Sequence, residues 1–165
     1  MFSVIIPSFN NIDYLKICIS SLKKNSFFKN QIIVHINIGN DNSIDYLKSE
    51  NIEYSYTSYN SGICEGVNMA SKLASTNFIV YAHDDFYFSP NWDKFMFDEI
   101  EKIGHNNFYL SSSTIGTHGT SLNCGDSHDN FNEEKFLKNY DNIEFNDLQG
   151  STWAPHVVHK SLWFK

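Results

Sequence analysis

No arginine occurs in these 165 residues: all 12 basic side chains are lysine, set against 19 aspartates and glutamates for a formal charge of −7. Nucleic-acid binders display a basic face in which arginine makes bidentate contacts to phosphate and guanine, so nucleic acid is not an expected partner. A phosphate-bearing ligand would have to be met by a metal ion, lysine, backbone N–H groups or a helix N-terminus. Cysteine is scarce. Cys18, Cys64 and Cys124 are odd in number and lack metal-binding spacing, which argues for a reducing compartment and against a disulfide framework. No apolar run approaches the roughly 20 residues of a membrane span. The opening MFSVIIPSFN lacks the basic start of a signal peptide, and Pro7 interrupts its apolar run. The expected location is cytoplasmic, with peripheral contact at the inner membrane face as a further expectation. The glycine fingerprints GxGxxG and GxxxxGKS/T are missing too, which removes the dinucleotide and P-loop readings.

What is present is a 41% hydrophobic, 16% aromatic chain of a length that buries one good core. Residues 3–7 (SVIIP) and 31–38 (QIIVHINI) are short continuous apolar runs, the signature of strands covered on both faces. Between them Leu15, Cys18, Ile19 and Leu22 share one face of a helix over 12–24, capped at Asn10 or Asn11 and closed by Lys23 and Lys24 at its negative end. A short helix over 44–49, an alternating strand over 52–57, a helix over 63–74 and a strand over 78–82 follow. This alternation predicts an α/β fold with a mostly parallel sheet and helices on both faces. Ser89-Pro90 predicts the cap and first position of a helix running to Ile103 and stopped by Gly104. A strand over 108–112, a helix over 133–139 and a strand-like stretch over 149–159 complete the reading.

Residues 78–88 read FIVYAHDDFYF, a buried strand that ends on His83, Asp84 and Asp85. Adjacent carboxylates repel, and desolvating them is costly unless a cation or hydrogen-bond donors sit between them. In an open α/β sheet the strand's C-terminal end is where ligands bind. Hard cations such as Mg²⁺ or Mn²⁺ take carboxylate oxygens there together with those of a pyrophosphate; the plainer alternative is a solvated acidic turn. Three more loops leave strand ends on the same rim: Ser8-Phe9-Asn10, residues 37–41, and Asn60-Ser61-Gly62. Asparagine amides suit a base edge and a carboxylate suits ribose hydroxyls. Asn10 as a helix cap and Asn60 with Gly62 as a turn are the simpler alternatives, whereas Asn37, an amide inside an apolar strand, needs a partner.

Four segments, SVIIPSFNNIDYLKICISSL, IIVHINIGNDNS, NSGICEGVNMA and FIVYAHDDFYFSPNWD, in this order and spacing, resemble the family 2 glycosyltransferases, nucleotide-diphospho-sugar transferases of the Rossmann-like GT-A fold. The resemblance covers residues 3–93 closely and the rest more loosely. It implies a single domain over 1–165, with a nucleotide-sugar-binding half at 1–104 and the start of an incomplete acceptor half at 105–165. It implies Pro7, Ser8 and Asn10 beside the nucleotide base, Asn60, Gly62 and Asn68 shaping its pocket, Asp84 on the ribose and Asp85 on Mn²⁺ or Mg²⁺. The implied reaction transfers a sugar, with inversion, from a nucleotide-diphospho-sugar (a UDP-sugar first of all) to a glycan or lipid-linked acceptor, in surface polysaccharide or glycan synthesis.

Two departures from the family pattern stand out. The family's paired acid and Gly-Ser after the second strand read here Ile36-Asn37-Ile38-Gly39, leaving Asn37 to meet the base with donor and acceptor both available. His83 replaces an acidic or small residue and becomes a candidate phosphate or metal contact. The acceptor's base, an Asp or Glu in inverting members, is not identified; Asp126, Asp129, Glu133 and Glu134 are carboxylates without a motif. GSTWAPHVVHKSLWFK resembles the segment just upstream of the base region, which places Trp153 and His156 on the acceptor side, although Trp153 also suits a core. A binding module without turnover is the alternative. A nucleotidyltransferase would carry a basic Gly-rich loop where PSFNN stands, and a receiver-like domain would carry acids there.

Overall fold

Successive residues of a strand face opposite sides of its sheet, so runs such as SVII and IIV demand cover on both. In the computed structural model, which describes residues 1–115, 122–143 and 155–165, helices supply that cover. Strands β1 (Phe2–Phe9), β2 (Gln31–Asn37), β3 (Glu53–Thr57) and β4 (Phe78–Tyr81) are parallel. Strand β6 (His156–His159) runs antiparallel to β4, and β5 (Tyr109–Ser111) antiparallel to β6, giving the order β3-β2-β1-β4-β6-β5.

Helices α1 (Ile12–Asn25), α2 (Ser43–Ser49) and α4 (Trp92–Ile103) cover one face. There Leu15, Cys18, Ile19, Leu22, Leu47, Trp92 and Met96 pack on Phe2, Val4, Ile6, Val34, Ile36 and Val80. Helix α3 (Gly62–Ser71) covers the other, with Val67 and Ala70 on Ile5, Ile33 and Ile79, joined by Trp163 of α6 (Lys160–Trp163). Each fully buried aliphatic side chain stabilises the fold by about 1.5–3 kcal/mol. Helix α5 (Glu133–Asn139) lies outside both cores and sets Phe136 against Tyr87. Among the described residues no helix is long and apolar enough to cross a membrane.

Three local expectations are corrected. The first strand does not end at Pro7: β1 continues to Phe9, with Pro7 opposite His35. The Ile5 carbonyl accepts from the Ala82 N–H, so odd residues of β1 turn their backbone groups toward β4. The β4 ladder pairs Ile5 with Tyr81, its last residue, so Pro7 lies beyond that ladder and removes no bond from it. The Ser89-Pro90 pair precedes α4 rather than opening it; Asn91, in the left-handed region at φ 59°, stands at its N-cap. Asn10 is not a cap, and Asn11 at the α1 N-cap makes no side-chain cap bond.

Candidate functional site

Strands β1, β2 and β3 end together, Phe9 beside Asn37 and Asn37 beside Thr57, so the loops that follow share one rim with the end of β4. Asp41 is the clamp between the first two. Its Oδ2 accepts from the Ile12 N–H at the start of α1 (2.9 Å), and its Oδ1 accepts from the Ser43 N–H and hydroxyl at the start of α2. Asn10, at φ 49°, accepts from the Asn40 N–H and ties the same loops. Ile38, a β-branched residue at φ 66°, sits in a tight turn closed by the Gly39 N–H on the Asn37 carbonyl (2.8 Å). Such a conformation is strained for isoleucine and persists only where its surroundings hold it. Gly39 follows at φ 67°, where a Cβ would come within 2.6 Å of Ile36.

Asn37 is buried, 3% exposed, and its partner is Ser61, whose N–H and hydroxyl both donate to its Oδ1 at 2.9 and 2.7 Å. The Ser61 hydroxyl also lies 3.2 Å from Nε2 of His35, a fully buried histidine whose Nδ1 meets Ser55 at 2.8 Å. Burial lowers the His35 pKa. Helix α3 rests directly on this ring at Gly66, where any Cβ would run into the imidazole. Asn60 accepts from the Gly62 N–H (3.0 Å), and Gly62, at φ 72°, opens α3 with space around it. Asn68 is exposed farther along the same helix.

The acid pair differs within itself. Asp85 is exposed, while Asp84 is partly buried. Burial is the largest cause that raises the Asp84 pKa, Asp85 adds to it, and Ser8 and Asn11 partly offset both. The buried Ser8 hydroxyl faces this carboxylate yet makes no hydrogen bond of good geometry. Pro7 lies in the strand that carries Ser8. Behind the pair sits Cys18, whose Sγ reaches the His83 carbonyl at 3.5 Å; burial and the two aspartates raise its pKa, so it is an inert thiol. Among the described residues no three His, Cys, Asp or Glu side chains converge on one point. Two carboxylates on an open rim nevertheless suit a hard cation whose other ligands are phosphate oxygens and water.

His83 turns toward β6. Its Nε2 is hydrogen-bonded to the Tyr81 hydroxyl at 2.7 Å, and its ring stacks on Phe86 at 5.3 Å. His156, opposite Tyr81 in the ladder, packs 4.4 Å from the Tyr109 ring and stacks on Trp163 at 6.5 Å. Burial first, and His83 second, push the His156 pKa down to about 4, so it is neutral at physiological pH. Its Nδ1 and the Trp163 Nε1 are buried with no hydrogen-bond partner among the described residues. Trp153 lies outside the described residues. Of the four carboxylates without a motif, Glu133 is bound to Lys24, in the last turn of α1 at the helix end away from the rim, and to Tyr87 in the segment after β4. Asp129 pairs with His128 at 3.1 Å, and Asp126 and Glu134 are exposed.

The sequence reading set Ser61 and Asp41 in rim loops but missed their roles, and it missed those of His35 and Trp163 as well. A histidine inside an apolar strand, like the asparagine two residues on, signals a buried polar network; nothing local marks the other three.

A family model for glycosyl transferase family 2 matches residues 3–161. Among solved structures, S. aureus TarS 1–349 in complex with UDP is 20% identical with a TM-score of 0.70 over 99% of this chain and 48% of that one. The same protein with UDP-GlcNAc gives 19%, 0.66, 99% and 46%. The mannosyltransferase PcManGT from Pyrobaculum calidifontis, in complex with GDP-Man and Mn²⁺, gives 12%, 0.56, 68% and 35%. No curated protein matches the chain. The chain thus spans about half the length of the TarS structures, and the shared fold is that of GT-A glycosyltransferases. With a family match running from the first strand to the last helix, and an acid pair on a rim of this fold, the chain belongs to glycosyl transferase family 2.

Proposed function

We propose that this rim binds a nucleotide-diphospho-sugar, a UDP-sugar first, and serves its transfer with inversion to a hydroxyl of a glycan or lipid-linked acceptor, as in surface polysaccharide synthesis. The observation that carries the reading is the Asp84–Asp85 pair, one carboxylate half-sheltered and one exposed, on the rim formed by the ends of four parallel strands. The crystal complexes of TarS with UDP and UDP-GlcNAc, and of PcManGT with GDP-Man and Mn²⁺, support the ligand class.

In this reading Asp84, with the side chains of Ser8 and Asn11 beside it, accepts from the ribose hydroxyls. Asp85 holds Mn²⁺ or Mg²⁺, which when bound supplies the charge that neutralises a diphosphate leaving group. Pro7, Ser8, Asn10 and Asn37 flank the base, and Asn60, in the turn before α3, with Gly62 and Asn68 of α3, shapes its pocket. His83, anchored by Tyr81, keeps Nδ1 for a phosphate oxygen. His156 and Trp153 belong to the acceptor side. Three free thiols support a reducing, cytoplasmic setting.

Titration calorimetry with UDP, with and without Mn²⁺, tests the site. The metal should tighten UDP by about tenfold or more in the wild type, a gain of the size of one charge-assisted contact, and the gain should vanish in Asp85→Ala. Equal affinity in variant and wild type would remove Asp85 from the site. Product formation from a panel of sugar nucleotides then separates a transferase from a module that only binds.

A further inference from the structure

Basic side chains are all but missing from the rim. The chain has no arginine, and the four rim loops, residues 8–11, 37–43, 58–62 and 82–86, hold no lysine. His83 is the one basic side chain among them. Apart from a metal ion, an anionic ligand there meets neutral donors and this imidazole. Which ring nitrogen of His83 carries hydrogen therefore decides what the rim offers a phosphate, and the bond made by the other nitrogen sets that choice.

Tyr81 makes that bond. Among the described residues its hydroxyl is hydrogen-bonded to Nε2 of His83, at 2.7 Å. This is the separation of an O–H donor, shorter than the about 2.9–3.0 Å usual for N–H donating to oxygen. The hydroxyl hydrogen is not taken by His156, whose ring lies 5.1 Å from that of Tyr81 yet whose Nδ1 is left without a partner. Burial first, then Cys64, Tyr109 and Asp85, push the Tyr81 pKa up to about 12, so the phenol keeps its proton to donate. With Nε2 accepting, the neutral ring carries its hydrogen on Nδ1, and an imidazolium carries one there as well. Nδ1 makes no hydrogen bond to a described residue and is not among the buried, partnerless atoms, so it opens to solvent. The ring itself is held flat on Phe86, at 5.3 Å and 16°.

We propose that Tyr81 is a positioning residue that locks His83 as an Nδ1–H donor to the diphosphate of the nucleotide, in the absence of any arginine or lysine on the rim, and that His83 is not a metal ligand. This deepens the nucleotide-site reading above and rests on it. Both ring nitrogens are accounted for: Nε2 takes the Tyr81 proton and Nδ1 bears its own, so neither keeps a lone pair for Mn²⁺. A hydrogen bond from Nδ1–H to a charged phosphate oxygen is worth about tenfold in affinity or more. Tyr81 touches no ligand in this arrangement and acts through the tautomer alone.

The tautomer is read first, by NMR of the imidazole nitrogens in the full chain at a pH where the ring is neutral. His83 should show Nδ1 protonated and Nε2 bare; the opposite tautomer, or an even mixture, overturns the proposal. Tyr81→Phe keeps the packing of the ring, removes the hydroxyl and should turn that single form into a mixture. Titration calorimetry in the presence of Mn²⁺ follows. His83→Ala should weaken UDP and Mn²⁺-pyrophosphate alike, by about tenfold. Tyr81→Phe should weaken both severalfold, and that loss should disappear in the His83→Ala background, which a tyrosine with a merely structural role would not show. The gain in UDP affinity on adding Mn²⁺ should survive in His83→Ala; its disappearance would make His83 a metal ligand and overturn the proposal. Unchanged affinities in folded His83→Ala, or in Tyr81→Phe with a released tautomer, overturn it as well. Failure of UDP to bind the wild type overturns the nucleotide-site reading and this inference together; UDP binding with its Mn²⁺ gain but without dependence on His83 overturns this inference alone.

Discussion

Asp93 and Asp84 stand at opposite edges of the sheet and face opposite fates. Asp93 is fully buried and accepts from four donors: the N–H groups of Phe27, Phe28 and Lys94, and Nδ2 of Asn30. It pins the loop between α1 and β2 to the start of α4. Asp84 is partly buried beside a second acid, and Ser8, Asn11 and its own backbone N–H only partly compensate it. A carboxylate whose donors are all supplied by the fold is a structural part. One that the fold shelters without fully satisfying is poised for a ligand.

The largest effect should therefore come from the acid that has no chemistry to perform. Asp93→Ala leaves the N–H groups of Phe27 and Phe28 and Nδ2 of Asn30 without their acceptor, while the Lys94 N–H keeps the Asn91 carbonyl, and is expected to cost about 3–5 kcal/mol in urea unfolding. Asp84→Asn should stay within about 1 kcal/mol of wild type while weakening UDP by about tenfold with or without Mn²⁺, as the loss of a charge-assisted contact to the ribose would. If Asp84→Asn proves as destabilising as Asp93→Ala, the contrast is wrong and Asp84 is a structural residue.

Next in size is Gly66→Ala. The new methyl would meet the His35 ring, and overpacking of this kind costs about 1–3 kcal/mol. Because His35 holds Ser61, and Ser61 holds Asn37, the same change should weaken UDP more than Mn²⁺-pyrophosphate. Equal weakening of both would show that the His35 network does not reach the base side of the rim.

How much of this was legible beforehand follows from which physical signals are local. The parallel sheet was legible because SVIIP, QIIVHINI and FIVYA are apolar without alternation, as strands buried on both faces must be. The acid pair was legible because two adjacent carboxylates after a buried strand need a reason. Pro7 misled, because it lies past the last β1–β4 pair and so breaks no ladder bond, while the pairing of β1 with β2 runs on to Phe9. The polarity of Asn37 could not be read at all. It depends on Ser61, 24 residues away in sequence, arriving through the turn after β3. The left-handed Ile38 carries no sequence signal either, since isoleucine is a poor choice for φ 66°.

A subtler effect is the pH dependence of stability. The folded Asp84 pKa is raised above its ordinary 3.8, so the folded state ionises it at a cost the unfolded chain does not bear. Below 3.8 both states hold the proton and no cost arises; stability is lost as pH climbs through the raised folded value. Denaturant midpoints measured from acid to neutral pH should thus move in favour of Asp84→Asn as pH rises. A flat difference would mean that the carboxylate is not sheltered. Mn²⁺ with UDP should narrow the gap at neutral pH by stabilising the ionised wild-type site.

The smallest expected effect lies at Glu133, and its slope should be the reverse. Tyr87 first, and Lys24 second, hold the Glu133 pKa below its ordinary 4.5, while Tyr87 itself is pushed up to about 12 by burial and by Glu133. A depressed carboxylate stabilises the fold above its unfolded pKa and loses that contribution as pH falls through the folded one. Glu133→Gln keeps an acceptor oxygen for both partners and removes only the charge. With side chains about half exposed, at 53% for Lys24 and 43% for Glu133, solvent screens the pair. The cost at neutral pH should stay under about 1 kcal/mol and shrink in 1 M salt and toward acid pH. Placed at the far end of α1 from Asp84, Glu133 should also leave UDP affinity untouched. A change in UDP affinity in Glu133→Gln would join the two edges of the sheet, and the division between a supporting edge and a binding edge would fail with it.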